Sequence, residues 1–266
     1  MGNSMAQQNT ILRRAAVIAL VGPEATGKST LAYELQNWLA PLVNVRIVHV
    51  GKPPATWLTY PMHLILPLLK VLLPGCRTSR MKGYAPSAPP AATLCSEMAP
   101  QMEKIRWSTL INAWWSLCVA WERRQLLKQS HKAALNNTFI ICDRYASNRP
   151  GLLDSARLTV NTEAKGWLPS IYSRLARLEH NIYRQIPPPD VVLQLSVSFE
   201  TAILRNRERI KADKEGDEYM RNRRRDAQDW NRMGNERVFH IDTDAGLDIT
   251  REKAIQVLEK VLYGRG

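Results

Sequence analysis

The sequence predicts an α/β protein, a parallel five-stranded sheet that is doubly wound with helices between its strands. Three observations predict it. Five short aliphatic and β-branched runs recur along the 266 residues. Helical patterns separate most of them, as in successive βαβ units. The first run also passes through a glycine-framed turn directly into an amphipathic helix.

The first predicted strand covers residues 15–21 (AAVIALV) and ends at Gly22. The turn Gly22-Pro23-Glu24-Ala25-Thr26-Gly27-Lys28-Ser29 follows, and then a helix whose Leu31, Leu35 and Leu39 share one apolar face. This is the strand–GxxxxGK[ST]–helix order of a phosphate loop, present with both flanks. Such a turn exposes successive backbone N–H groups, and the positive end of the new helix faces the same point. Gly22 and Gly27 permit backbone angles and close approach that a side chain would block. Lys28 is a point charge suited to β- and γ-phosphates, and the Ser29 hydroxyl suits Mg²⁺. A nucleoside triphosphate is the expected ligand.

The remaining strands are expected at residues 45–50, 138–142, 191–195 and 237–241, with a closing helix over 249–263. Asp248 and Glu252 near the start of that helix complement its dipole. Two connections are long. One spans about 53–103 and contains an apolar stretch from Trp57 to Leu73, interrupted by Pro61, Pro67 and Lys70. It is too short and too broken for a membrane span, so a buried helical hairpin or lid is expected, with interfacial membrane contact as the alternative. The other, 205–225 (RNRERIKADKEGDEYMRNRRR), is dominated by charge. A solvated helical face is the simplest account of such a run, and a basic lid over phosphates is the sharper one.

One elaborated domain over residues 1–266 accommodates these elements. The hydrophobic fraction of 45% and eight tryptophans exclude a disordered chain. Cys76, Cys95, Cys118 and Cys142 have no CxxC or histidine spacing, so reduced thiols in a cytoplasmic protein are expected. Residues 1–10 lack a secretion signal, and Ala6 stands where myristoylation at Gly2 would require Ser or Thr. The net charge of +13 is compatible with phosphorylated substrates, an anionic membrane surface, nucleic acid or a plain solvated surface. No compact aromatic-plus-basic nucleic-acid motif is visible, which argues against nucleic acid as the partner.

A second constellation lies in Phe139-Ile140-Ile141-Cys142-Asp143-Arg144-Tyr145. It puts an acid at the C-terminal end of a strand, where open parallel sheets bind ligands. Asp143 is the candidate to hold Mg²⁺ with Ser29, and Arg144 the candidate to neutralise charge on a transferring phosphoryl group. His49 ends the second strand and is expected either to contact substrate or to be a satisfied buried histidine; His240 is expected to be uninvolved. Trp107, Trp114 and Trp121 recur every seven residues with Trp115 beside them, and are expected to pack against the core or the insertion. Stacking of one on a base is the alternative.

Together GPEATGKS, ICDRY and PPDVVLQLSVSFETAILRNRER resemble the thymidylate kinase family of P-loop nucleotide kinases, over residues 15–50 and about 104–263. The resemblance implies a three-layer αβα P-loop kinase fold with a helical or loop insertion. It implies ATP and Mg²⁺ as cofactors and phosphoryl transfer to a nucleoside monophosphate, thymidylate first. Gly22, Gly27, Lys28, Ser29 and Thr30 match the family's nucleotide-phosphate loop, and Glu24 its acidic contact to the acceptor's sugar hydroxyl. Asp143, Arg144 and Tyr145 match its DR-aromatic motif. Arg123, with Arg124 adjacent, stands where an arginine binds the acceptor. Arg205, Arg209 and Arg221 are implied as lid arginines, in keeping with Ala25 where some members carry a loop arginine. The family's Arg-Glu-Pro is Gly51-Lys52-Pro53 here, so its acid is missing. That departure and the apolar insertion keep open a nucleoside or a sugar- or lipid-linked acceptor, with peripheral contact at the inner membrane face. A nucleotide-dependent regulatory protein is the reading from another class. A second copy of the chain is a compatible partner.

Overall fold

Burial of β-branched side chains on both faces dictates the middle of the sheet. The run Val17–Val21 is buried at every position and forms β1, as a central parallel strand must be. It is flanked by β3 (Thr138–Asp143) and β4 (Val191–Ser196), and outside these lie β2 (Asn44–His49) and β5 (Arg237–Asp242). The order is β2-β3-β1-β4-β5, with every pair parallel. The edge strands read differently because they are half-solvated. In β2, Asn44, Arg46 and His49 are exposed while Val48 is buried. All five expected strands are present.

The computed structural model describes residues 15–51, 107–147, 154–160, 166–208 and 237–263. The expected insertion at 53–103 and the lid beyond residue 208 lie outside these residues. The chain divides into two compact units. The first holds the sheet, helix α1 (Lys28–Leu39), the end of α2 (Trp107–Leu135), α4 (Phe199–Glu208) and α5 (Leu247–Tyr263). Its core packs Leu31, Leu35 and Leu39 of α1 and Ala254 and Leu258 of α5 onto Ile18, Leu20, Phe139, Ile141, Leu193 and Ile241. The i, i+4 leucine spacing read from the sequence is therefore the face that seats α1.

The second unit holds the first 22 residues of α2 and all of α3 (Trp167–Arg184). Trp107 meets Trp167, Ala113 shares an apolar cluster with Ala176, and Arg123 bonds Tyr183. The two helices thus run side by side in one direction for about 25 Å. Trp107, Trp114 and Trp121 do share a face, and at 64%, 50% and 43% exposed it is not the one turned to the core; the insertion, the other expected packing partner, lies outside the described residues. The smaller Leu110, Ala113, Ala120 and Leu127 take the buried side. A seven-residue repeat fixes which residues share a face, and not which side that face takes.

Among the described residues no helix is long and apolar enough to cross a membrane. Cys118 and Cys142 are free and buried, and burial raises both thiols above their ordinary range.

Candidate active site

The site is assembled by strand register. Leu20, two residues before the glycine turn, pairs with Asp143, and Asp143 pairs on its other side with His49. Three strand ends therefore converge where the chain leaves β1 to one side and later returns to the other, the switch point at which open α/β sheets bind ligands. Gly22 has φ +143, and an added Cβ would lie 2.3 Å from the Leu195 carbonyl oxygen of β4. Only glycine lets the loop leave β1 against its neighbour. Gly27 (φ +81) then turns the chain into α1, and Leu31 N–H donates to its carbonyl at 2.9 Å.

Inside the loop the Lys28 ammonium donates to the carbonyls of Gly22 (3.1 Å) and Pro23 and contacts the Thr26 hydroxyl at 3.0 Å. Thr26 in turn donates to the Pro23 carbonyl at 2.9 Å. The Lys28 ammonium is thus buried and braced by carbonyls of its own loop. Ser29 and Thr30 follow on the exposed side of the first turn.

The Ser29 hydroxyl donates to Asp143 Oδ2 at 2.6 Å, and His49 Nδ1 lies 3.2 Å from the same oxygen. Ser29 and Asp143 are 114 positions apart in sequence, and only the fold brings them together. One hydroxyl and one carboxylate are the donors Mg²⁺ takes from protein when phosphates and water complete its shell, so these residues fit that ion. His49 is the neighbour least legible beforehand. Its side chain is half exposed and bonded to Asp143, so it is not a buried histidine. Knowledge of the β2–β3 register would have found it.

Arg144 follows Asp143 in the left-handed region at φ +77, and its N–H donates to the Leu20 carbonyl at 3.0 Å. That turn carries its guanidinium to 4.0 Å from the buried Glu24 carboxylate. Two expected site residues, Glu24 and Arg144, thus stand together. Tyr145 is 2% exposed; its hydroxyl donates to the Pro187 carbonyl at 2.6 Å and lies 3.0 Å from His131 Nε2. Arg205 sits on α4, where its guanidinium donates to Thr243 O (2.6 Å), Thr243 Oγ1 (3.2 Å) and Ala25 O (3.5 Å). It ties the glycine loop to the exit of β5, a link that no sequence motif marks. Arg209 and Arg221 lie outside the described residues.

Arg123 belongs to the second unit. It is 2% exposed, with Nη1 donating to Tyr183 Oη at 2.9 Å and Nη2 to Asp154 Oδ1 at 3.2 Å. Burial by itself disfavours its charge, but Tyr183 and Asp154 outweigh it and raise the guanidinium further. Arg124 lies 5.0 Å over the Trp121 ring. Glu179 accepts the backbone N–H groups of Arg157 (3.0 Å) and Leu158 (2.8 Å), so the segment around Asp154 is tethered from both α2 and α3.

No protein-family model matches the sequence, and no curated protein matches it. Among solved structures the chain is similar to thymidylate kinase from Candida albicans, at 17% identity over 93% of this chain and 92% of that one, with a TM-score of 0.50. It is also similar to deoxyadenosine kinase from M. mycoides, at 17% identity over 92% and 99%, with a TM-score of 0.48. At this identity the likeness to the thymidylate kinase speaks for fold. With its parallel β2-β3-β1-β4-β5 sheet and the glycine loop at the end of β1, the chain has the three-layer αβα fold of thymidylate kinase-like P-loop kinases.

Proposed function

We propose that the chain is an ATP- and Mg²⁺-dependent kinase that transfers a phosphoryl group to a nucleoside monophosphate, thymidylate foremost. The observation that carries this reading is the 2.6 Å contact of Ser29 with Asp143 at the mouth of the glycine loop. Phosphoryl transfer asks mainly for positioning and charge neutralisation. Lys28 and the amides of the Gly22–Ser29 loop hold the donor phosphates, and Ser29 with Asp143 holds the metal. Mg²⁺ bound there neutralises charge on the donor phosphates. Arg144, positioned by its left-handed backbone and by Glu24, supplies a cation for the transferring group. A monophosphate acceptor is already ionised and needs no general base.

The fold shared with a thymidylate kinase and the DR-aromatic run support thymidylate as the acceptor. The Gly51-Lys52-Pro53 departure favours a second reading, a hydroxyl acceptor on a nucleoside or a sugar- or lipid-linked compound, for which Glu24 or Asp143 would be the base. The test is ATP-dependent turnover across a panel of nucleosides and nucleotides. Lys28→Ala and Asp143→Asn are each expected to lower kcat by about a hundredfold or more. Wild-type turnover in both variants would sink the assignment, and turnover confined to nucleosides would select the second reading.

A further inference from the structure

His49 stands in the row where the sheet turns from packing to chemistry. Successive side chains of a strand alternate between its faces. Val45, Ile47 and His49 therefore share one face of β2, and their partners Phe139, Ile141 and Asp143 share the same face of β3. The first two rows pack into the core with the α1 leucines. The third row is polar, and the first turn of α1 brings Ser29 to it. Asp143 is thus held from two sides. The Ser29 hydroxyl donates to Oδ2 at 2.6 Å, and His49 Nδ1 lies 3.2 Å from the same oxygen. A carboxylate only accepts, so Nδ1 carries the hydrogen of that contact. The Asp143 side chain is 11% exposed and that of His49 50%.

We propose that His49 is a positioning residue for Asp143, orienting the carboxylate that holds Mg²⁺; the role of that ion rests on the kinase reading above. The terminal torsion of an aspartate is broad, so its own rotamer preference sets the carboxylate plane only loosely. Neighbouring donors must set it. Ser29 stands on the helix of the phosphate loop and is itself a ligand for the ion. His49 stands on the sheet, in a strand paired with β3 at every residue from Asn44 to His49. It ties the carboxylate to the most rigid element of the site. Partners behind a ligating group are worth about ten- to a hundredfold in metal affinity. A half-exposed ring has little core packing to lose, so its removal takes away chiefly the bond to Asp143.

The probe is Mn²⁺, which takes the same oxygen ligands, bound to the full chain with ADP and followed by electron paramagnetic resonance. Turnover of the best acceptor in the nucleoside and nucleotide panel is measured beside it. His49→Ala and His49→Phe should each weaken Mn²⁺ binding about tenfold. The apparent KM for Mg²⁺ should rise alike, while kcat at saturating Mg²⁺ falls less than about threefold. His49→Asn keeps an N–H near the position of Nδ1, and its affinity should return to within about threefold of wild type. Equal affinity in wild type and His49→Phe, or no recovery in His49→Asn, overturns the proposal and leaves the kinase reading in place. So does a nitrogen coupling on bound Mn²⁺ that His49→Phe removes, since the ring would then be a ligand. Mn²⁺ binding that depends on His49 in a chain that phosphorylates no acceptor supports the positioning role and overturns the kinase reading alone. Absent Mn²⁺ binding by wild type overturns both.

Discussion

Arg144 is the residue at which backbone and chemistry meet. A non-glycine residue at φ +77 carries a cost of about 1–2 kcal/mol, and the return on it is a guanidinium turned back toward Glu24 and the glycine loop. At an ordinary helical or extended position Ala would be the more stable replacement. Here Arg144→Gly is expected to exceed Arg144→Ala in unfolding free energy by about 1 kcal/mol. Both should lose kinase turnover alike. Chemical denaturation of the pair checks the first point, and an Ala variant more stable than the Gly variant would contradict it. The sequence could nominate Arg144 by its place after Asp143, but nothing in the residue order told that it would need a left-handed turn. Ser29, Lys28 and Asp143 were legible because their residue types are dictated by phosphate and metal chemistry. His49 was legible as the end of β2, but its bond to Asp143 was not, because that follows from the strand pairing opposite Asp143.

Among the elements, α1 was readable down to its packing leucines, since a short helix on one sheet face needs one stripe. Asp143 was readable as a site residue for a different reason: an aliphatic run that stops at an acid marks the C-terminal edge of the sheet. Helix α3 was the harder case. It buries Glu179 and exposes Trp167, and that inversion is visible only when Asp154, Arg157 and Leu158 are known to lie beside it. Burial holds the Glu179 carboxyl above the ordinary carboxylate range, although the amides of Leu158 and Arg157 pull it down. Between the unfolded value and this raised one the folded state binds the extra proton. Its contribution to stability is therefore full in acid and is lost as pH rises through the raised value. The stability of wild type minus that of Glu179→Gln should fall across that window and be flat below it, as read by denaturation at a series of pH values. A difference that rises with pH would show the carboxylate to be favoured in the fold.

At the scale of the molecule the strand set and its parallel winding were legible, because buried strands in such a sheet leave near-continuous apolar runs. The strand ends were read one residue short at β3, β4 and β5. Pairing continues into polar residues there, as in Ser196 with Asp242 and His49 with Asp143. Those polar extensions form the C-terminal edge of the sheet, where the candidate site lies, so the boundary least visible in hydropathy is the one that matters for chemistry. Long-range ties such as Arg205 to Thr243 and Ala25 leave no pattern in sequence, because each is a single meeting of distant segments. The account's central claim is transfer of a phosphoryl group at the Lys28, Ser29 and Asp143 site. Phosphorus NMR of the full chain with Mg·ATP and thymidylate tests it most directly. The account predicts growth of the diphosphate resonances of a phosphorylated acceptor in step with ADP, and its loss in Asp143→Asn. Inorganic phosphate as the sole new product, or equal transfer by the variant, would contradict it.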